Sequence, residues 1–454
     1  MANSHTSKAD LRSLVRTLEP QLIAWRRDLH QHPESSFTEY RTASLIAQHL
    51  QTLGYAVTMG AQAQRGQARL WVPDAQHSTA ARQWALAQGA NPALVQRMGN
   101  GLTGLWADLV CPNDNYDGTD CCEEYPLVAL RFDMDALELP EAASQTHRPA
   151  REAFASCRAG LMHACGHDGH VAVGLGLASL LAQLRPLLRG TVRLIFQPAE
   201  EGGIGAHPME LAGALHGVDY LIGMHLGIQA EHTGDVVCGT DCFLATTTFE
   251  ITFTGSPAHA GMAPQEGKNA LLAATTAVQN IHAITRHGDG VSRINIGQLR
   301  SGDAPNIIPP QAWLCGETRG ISTAINDFMM GEVERMAHAA AQMWGCECSI
   351  RRIGECPSAA SSTKLTDRVQ SIAKSMGLFR NIRHTAHFWA SEDFTWLMNA
   401  VQKTGGQAVF LQVGAKRSAG HHTSYFDFDE QALCPALELL ARVTLSTLNA
   451  QGIV

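Results

Sequence analysis

Charge is scarce in this sequence. Asp, Glu, Lys and Arg make up 17% of its 454 residues, and 34 basic against 42 acidic groups leave a net charge of −8. That share lies below the roughly 25% of an average soluble domain, which suits a large compact body and excludes a disordered chain. No block of one sign runs along the chain, so neither nucleic acid nor an anionic membrane is expected as a partner. No stretch reaches the roughly 18 apolar residues that a membrane helix needs. The opening MANSHTSKADLRSLV has no apolar run behind a basic patch, so no secretory signal is read there and a cytoplasmic location is expected. Twelve cysteines are few for this length, and none stands in a CxxC pair. A disulfide scaffold and a structural zinc ribbon are thereby excluded. Internal repeats and low-complexity tracts are lacking as well.

What is present is length for two or three domains and a regular alternation of elements. Residues 11–51 read as helix, broken at HPESSF (32–37), and a short strand follows near 55–57. A helical stretch over 79–98 and a strand near 102–106 come next. The segment 111–124, CPNDNYDGTDCCEE, reads as an acidic surface loop. Three apolar runs, 125–132, 191–196 and 218–224, read as buried strands, with helices over 168–184 and 206–215 between and after them. That order predicts an α/β fold around a mostly parallel sheet. After Cys238 the pattern changes. TTTFEITFT (246–254) alternates as an antiparallel strand does, and helix 269–284, strands 291–300 and 311–319, helix 321–343 and strand 346–354 complete a βαββαβ unit of ferredoxin-like type. From 362 the first pattern resumes and ends in a helix over 430–448. The predicted organisation is therefore a catalytic body (1–242 and 358–454) with a ferredoxin-like α+β unit (243–357) inserted into it.

The densest chemistry lies in MHACGHDGH (162–170), where Cys165, His167, Asp168 and His170 stand together just before a helix. Cys and His so close suit a borderline-soft divalent ion, although a loop with capping residues would look the same. QPAEEG (197–202) follows directly on a strand, and paired acids at a strand's C-terminal end lie where open α/β sheets hold ligands. Successive side chains diverge, so one of Glu200 and Glu201 can bind metal while the other works on water; a solvated acidic turn is the plainer alternative. His225 ends a third apolar strand, where a lone His is otherwise a satisfied core residue.

Taken with ALRFDMDALELPE (129–141), GMHLG (223–227), GSPAHAG (255–261), NIIP (306–309), SEDF (391–394) and HHTSYFDFDE (421–430), these motifs resemble the dinuclear-metal amidohydrolases. That clan includes glutamate carboxypeptidase and aminoacylase, and the likeness is to its auxin-conjugate-hydrolase branch. The likeness runs through nearly the whole chain in the right order. The extra helical segment before Gly101, REAFASCRAGLMHACGHDGH (151–170) and the GHH…FDFDEQ ending bring it nearest to the aminobenzoyl-glutamate hydrolases. The resemblance implies a metallopeptidase-like catalytic domain and an inserted lid and dimerisation domain. It also implies metal ligands Cys165, His167, Glu201, His225 and His422, with His421 as the alternative for the last because His-Thr-Ser stands where many relatives have His-x-Pro. Glu200 would be the general base.

Under that resemblance Cys165 bridges two divalent ions, manganese or zinc, which polarise the scissile carbonyl and acidify a shared water. Glu200 takes the water's proton and passes it to the leaving amine. Asp133, Asp135 and Asp168 are candidates to orient the ligand rings, Asp168 equally a helix cap. His259 would reach across a dimer to stabilise the oxyanion, and Asn306 and Arg319 would hold the substrate's α-carboxylate. The expected activity is cleavage of an N-aroyl or N-acyl amino acid, with p-aminobenzoyl-glutamate as the best single substrate and indole-acetyl-aspartate or another N-acyl amino acid as the alternative. A non-catalytic partner subunit is the reading from another class. The active form would be a homodimer or a heterodimer with a related subunit.

Overall fold

The computed structural model describes residues 10–111 and 125–448, so the acidic stretch 112–124 with Cys121 and Cys122 lies outside the described residues. The first helix, Leu11–Gln31, starts where the Asp10 carboxylate accepts the Arg12 N–H, and it buries Leu11, Val15, Leu22 and Leu29 along one stripe. His32-Pro33 ends it, because the residue before a proline is driven out of helical geometry. The Glu34 carboxylate then accepts the N–H groups of Arg41 and Thr42, at 2.9 and 2.8 Å, and so starts the next helix, Tyr40–Thr52. The predicted break at HPESSF is thus a real junction with its own cap.

Among the described residues, twelve strands form two sheets. In chain order they are β1 (Ala56–Met59), β2 (Leu105–Val110), β3 (Leu127–Asp133), β4 (Thr191–Gln197), β5 (Tyr220–Leu226), β6 (Asp235–Asp241), β7 (Ala245–Thr254), β8 (Ser292–Ser301), β9 (Gln311–Gly320), β10 (Glu347–Cys356), β11 (Asn381–His387) and β12 (Gln407–Val413). The large sheet has the order β1-β2-β4-β3-β5-β12-β6-β11. Its centre, β4-β3-β5-β12, is parallel as predicted, and β6 and β11 pair parallel at one edge. β2 pairs antiparallel with both β1 and β4, and the short β12–β6 contact is antiparallel too, so the sheet is mixed. The small sheet, order β10-β7-β9-β8, is antiparallel throughout and is built from residues 245–356 with helices Ala270–His282 and Thr323–Met343. That is the strand order a βαββαβ unit of ferredoxin type requires.

The helix His167–Leu184 explains the main core. Sixteen of its eighteen residues are buried, so it lies in the interior rather than on the surface. It packs between Leu11–Gln31, Leu433–Thr447 and the large sheet. Each fully buried Leu or Phe there contributes about 1.5–3 kcal/mol by leaving water. The small sheet has a separate core around Phe249, Ile251, Phe253, Leu314, Met329 and Val333. Because the parallel strands β3, β4 and β5 all point the same way, their C-terminal ends bring residues 133, 197 and 226 to one edge. The chemistry-bearing motifs gather at that edge.

Candidate active site

The loop after β4 carries the paired acids, and its shape is dictated locally. Gly205 has no room for a side chain, since a Cβ there would lie 1.6 Å from the Pro198 carbonyl. Ala199 takes a left-handed φ of 54°, and its N–H donates to buried Glu39 at 2.9 Å. Asp135, just beyond β3, accepts the N–H groups of Glu200 at 3.0 Å and Glu201 at 3.2 Å. Both carboxylates are thereby turned into the site on a fixed backbone. Asp135 also fixes the His167 ring, through its backbone carbonyl, which accepts His167 Nδ1–H at 2.9 Å.

That bond fixes a proton on Nδ1 and turns the Nε2 of His167 into the site, where it is buried without a hydrogen-bond partner. His225 repeats the arrangement: Nδ1–H donates to the Leu226 carbonyl at 2.9 Å, and Nε2 faces Cys165 Sγ at 3.4 Å. Imidazoles anchored through one nitrogen to a carbonyl are prepared to ligate through the other. His422 Nε2 lies 3.3 Å from Glu201 Oε2, and its own backbone is held in the left-handed region, φ 58°, by an N–H bond to the Ala164 carbonyl. Cys165, His167 and His225 offer donor atoms within 4.8 Å of one another, as do Cys165, Glu201 and His422. The two groups share Cys165.

His421 also lines the cavity, with its ring 5.6 Å from that of His225, but it is not brought to Glu201. Its Nδ1 accepts from Arg417 at 2.5 Å and its ring packs on Phe426, so His422 is the one brought to Glu201. His170, one turn on from His167, donates from Nδ1 to Asp133 at 2.5 Å and accepts the Leu226 N–H at 3.0 Å. Both its nitrogens are used, so it clamps β3 to β5 rather than facing the cavity. Asp168 points the other way, to Arg26 and His30.

The electrostatics of the site call for cations. Burial, then Glu392 and Glu201, push the Glu200 carboxyl well above the usual range. Burial and nearby Asp135 and Asp133 push Glu201 up to about 7, with His167 pulling against them. Burial and Glu201 hold the Cys165 thiol well above its ordinary value. Burial opposes a proton on His167, yet Asp133 and its other neighbours raise it well above the normal imidazole value. The guanidinium beneath the site, Arg131, is already taken by Asp133, Glu392 and Asp393 at 2.5, 2.9 and 3.2 Å. Orphaned buried Nε2 of His167 and Oε1 of Glu201, a shared thiol and an excess of acid are what divalent ions would satisfy. The donor set, one thiolate, imidazoles and a carboxylate, fits a pair of such ions.

Cys165, Glu200, Glu201, His225 and His422 line a cavity of about 420 Å³ whose opposite wall comes from the small sheet. Arg319 of β9 stands there, forked onto Glu317 with two bonds of 2.9 Å and reaching Ser391 Oγ at 3.2 Å. Sequence reasoning placed Arg319 but missed Glu317, which shares its strand face at i−2. It also left the role of SEDF open. Glu392 and Asp393 bind Arg131, and Asp393 accepts the N–H groups of Gly205 and Ala206 at 2.9 Å each, tying this segment to the acid loop. The chain does not bring His259 and Asn306 into its own cavity. They lie together on the small unit, with His259 bridged to Ile307 and the Ala260 N–H on the Asn306 carbonyl at 3.0 Å. His259 Nδ1 accepts from Gly261 and Met262, both at 3.1 Å, which leaves Nε2–H as an outward donor beside Met262, itself 82% exposed.

A parallel-centred sheet with an inserted ferredoxin-like unit and a shared-thiol donor cluster at its strand ends defines the class of metal-dependent hydrolases. Residues 129–446 match the model of peptidase family M20/M25/M40, and the chain belongs to that family. It is 42% identical over 446 residues to a subunit of the p-aminobenzoyl-glutamate hydrolase of Escherichia coli, covering 98% of this chain and 99% of that one. It is also 42% identical over 437 residues to the indole-3-acetyl-aspartic acid hydrolase of Enterobacter agglomerans, covering 96% and 98%. Among solved structures, an aminobenzoyl-glutamate utilization protein from Klebsiella pneumoniae superposes with a TM-score of 0.81 at 36% identity over 96% of this chain and 98% of that one. A dinuclear metal binding peptidase of family M20 from Bacillus subtilis gives 0.66 at 25% identity over 96% and 99%. The chain is a metal-dependent amidohydrolase of that family.

Proposed function

We propose that this chain hydrolyses the amide bond of an N-aroyl amino acid with an acidic side chain, p-aminobenzoyl-glutamate being the first substrate to try. The observation that carries this reading is the convergence of Glu200, Arg319 and four of the five donor residues on one cavity, with the fifth, His167, buried behind them. Indole-acetyl-aspartate is the second candidate, supported by an equal identity to a hydrolase named for it. Both names pair an aromatic acyl group with a dicarboxylic amino acid. A non-catalytic partner subunit is disfavoured because no donor in the set has been lost.

In this proposal Cys165, His167, Glu201, His225 and His422 hold two ions, manganese or zinc. When bound, the pair would polarise the amide carbonyl and make a water molecule more acidic. Glu200, 3.8 Å from His167 Nε2 and held by Asp135, accepts the proton of the attacking water. The water oxygen bonds to the carbonyl carbon, the C–N bond breaks, and Glu200 returns the proton to the leaving nitrogen. Arg319 orients the amino-acid carboxylate, exchanging part of its fork on Glu317 for the substrate. His259 and Asn306 serve the cavity of a second subunit, either a copy of this chain or a related one, where His259 Nε2–H donates to the developing oxyanion. Residues 243–357 thus act as lid and dimerisation unit, and the enzyme works in the cytoplasm.

The test is a hydrolysis screen of p-aminobenzoyl-glutamate, indole-acetyl-aspartate, hippurate and simple dipeptides on protein loaded with manganese or zinc. Preferred turnover of the first supports the proposal. Turnover of dipeptides alone, or of none of these by fully metallated protein, contradicts it.

A further inference from the structure

At the edge of the large sheet β6 and β11 run parallel, and their register sets Asp241 beside His387 at the point where both strands end. From β6 the chain passes through Cys242 into β7 of the small unit, while β11 continues into 388–391, which wall the catalytic cavity. The junction is fastened by N–H bonds from Phe388 to the Asp241 carbonyl at 2.8 Å and from Trp389 to the Cys242 carbonyl at 3.2 Å. Cys242 and Trp389, neither a glycine, both sit in the left-handed region with φ of 51° and 55°.

Three donor atoms meet here. His387 Nδ1 lies 2.5 Å from Asp241 Oδ1 and 3.4 Å from Cys242 Sγ, and all three fall within 4.8 Å of one another. Without an ion, the His387 Nδ1–H and the Cys242 thiol can both donate to the Asp241 carboxylate, so the three groups are already drawn to one point, and an ion would take the place of both protons. A cation at the common point satisfies the nitrogen, the carboxylate and a thiolate together. We propose that Asp241, Cys242 and His387 form a third divalent-metal site, of zinc type, separate from the cluster around Cys165. None of the three lines the catalytic cavity. Thiolate and imidazole select zinc over manganese, and three protein ligands leave the fourth position to water. Side-chain exposure of 60% for His387 and 32% for Asp241 gives an ion a way in. Bound there, zinc ties the passage into the small unit to the segment bearing Ser391 and Glu392, and so stiffens the hinge beside the cavity.

The experiment uses the full chain, equilibrated against buffered free zinc and counted by elemental mass spectrometry, alongside Cys242→Ala and His387→Ala. Three zinc ions per wild-type chain and two in each variant are expected. Site-resolved mass spectrometry of iodoacetamide-treated wild type gives a second readout that does not depend on the variants folding. Alkylation of Cys242 should slow at least tenfold with zinc and stay unchanged with manganese. Wild type saturating at two zinc ions, a third ion that persists in both variants, or alkylation of Cys242 unaffected by zinc would overturn the proposal. None of these readouts depends on which substrate the enzyme cleaves.

Discussion

His167 and Asp168 are neighbours in sequence, yet their side chains enter two buried clusters of opposite character. Asp168 joins a closed one. Arg26 meets Asp168 at 3.0 Å, Asp427 at 2.7 Å and Glu430 at 3.3 Å, while Arg148 and Arg27 share Asp427 and Glu430. Burial works against charge on Asp427 and Glu430, but these guanidinium groups and Arg26 hold both carboxyls below the usual range. His167 joins an open cluster, in which the pKa values of Cys165, Glu200 and Glu201 are displaced upward. Asp168 and His167 are both almost wholly buried, so burial alone does not distinguish a structural network from a metal site. What distinguishes them is whether the chain supplies its own cations.

Four changes break or sharpen that contrast, in descending order of effect. Cys165→Ser removes the shared anionic donor of the open cluster, and an alcohol is a poor bridge at neutral pH. Metal affinity should fall by more than the about 10–100-fold that loss of an outer partner costs, with folding unchanged. Normal metal content in that variant would remove the bridge. His259→Ala should remain fully metallated and lose about 10²–10³-fold in activity. Mixing it with Glu200→Gln should restore part of that activity, because one cavity of a mixed dimer would combine an intact base with an intact His259. A mixture that stays inactive after proven subunit exchange would confine His259 to its own chain or to no catalytic part.

Arg26→Met opens the closed cluster by leaving three acids short of a cation. It should destabilise the fold by about 3–5 kcal/mol without changing the metal content of the folded chain, as denaturant unfolding and metal analysis would show. Loss of metal at unchanged stability would mean that the two clusters are not separate. The smallest effect is expected at Asp28, where burial is outweighed by His32 and Arg41 and the carboxyl is brought down to about 2. A carboxylate depressed in the folded state stabilises above its unfolded value near 3.8 and loses that contribution as pH falls through 2. The pair is partly exposed, so Asp28→Asn should cost about 0.5 kcal/mol at neutral pH. The stability difference from wild type should close between about pH 4 and pH 2; a difference that does not change with pH would assign it to packing.

Local pattern made much of this legible. The βαββαβ unit was readable because strands 245–254 and 311–320 alternate and the helix 323–343 carries a buried stripe. The donor residues were readable because each stands at the tip of an apolar strand or in a dense motif. Partners distant in sequence were not. Nothing around Asp168 announces Arg26, 142 positions earlier, or says that the carboxylate turns away from its neighbour's ring. Strand β11 was not read individually because it is an edge strand with a single buried residue, lacking the apolar run that betrays β3. The helix expected over 206–215 ends at Glu210, where the chain turns through Gly213 at φ 98°.

The central claim is that Glu200 and Glu201, adjacent on one loop held by Asp135, divide their work between moving a proton and binding metal. The most direct measurement is manganese stoichiometry together with turnover in Glu200→Gln and Glu201→Gln. Glu200→Gln should keep two ions per chain and lose about 10²–10⁴-fold in activity, whereas Glu201→Gln should lose metal and activity together. Loss of metal in Glu200→Gln with full occupancy in Glu201→Gln would contradict the assignment and exchange the two roles.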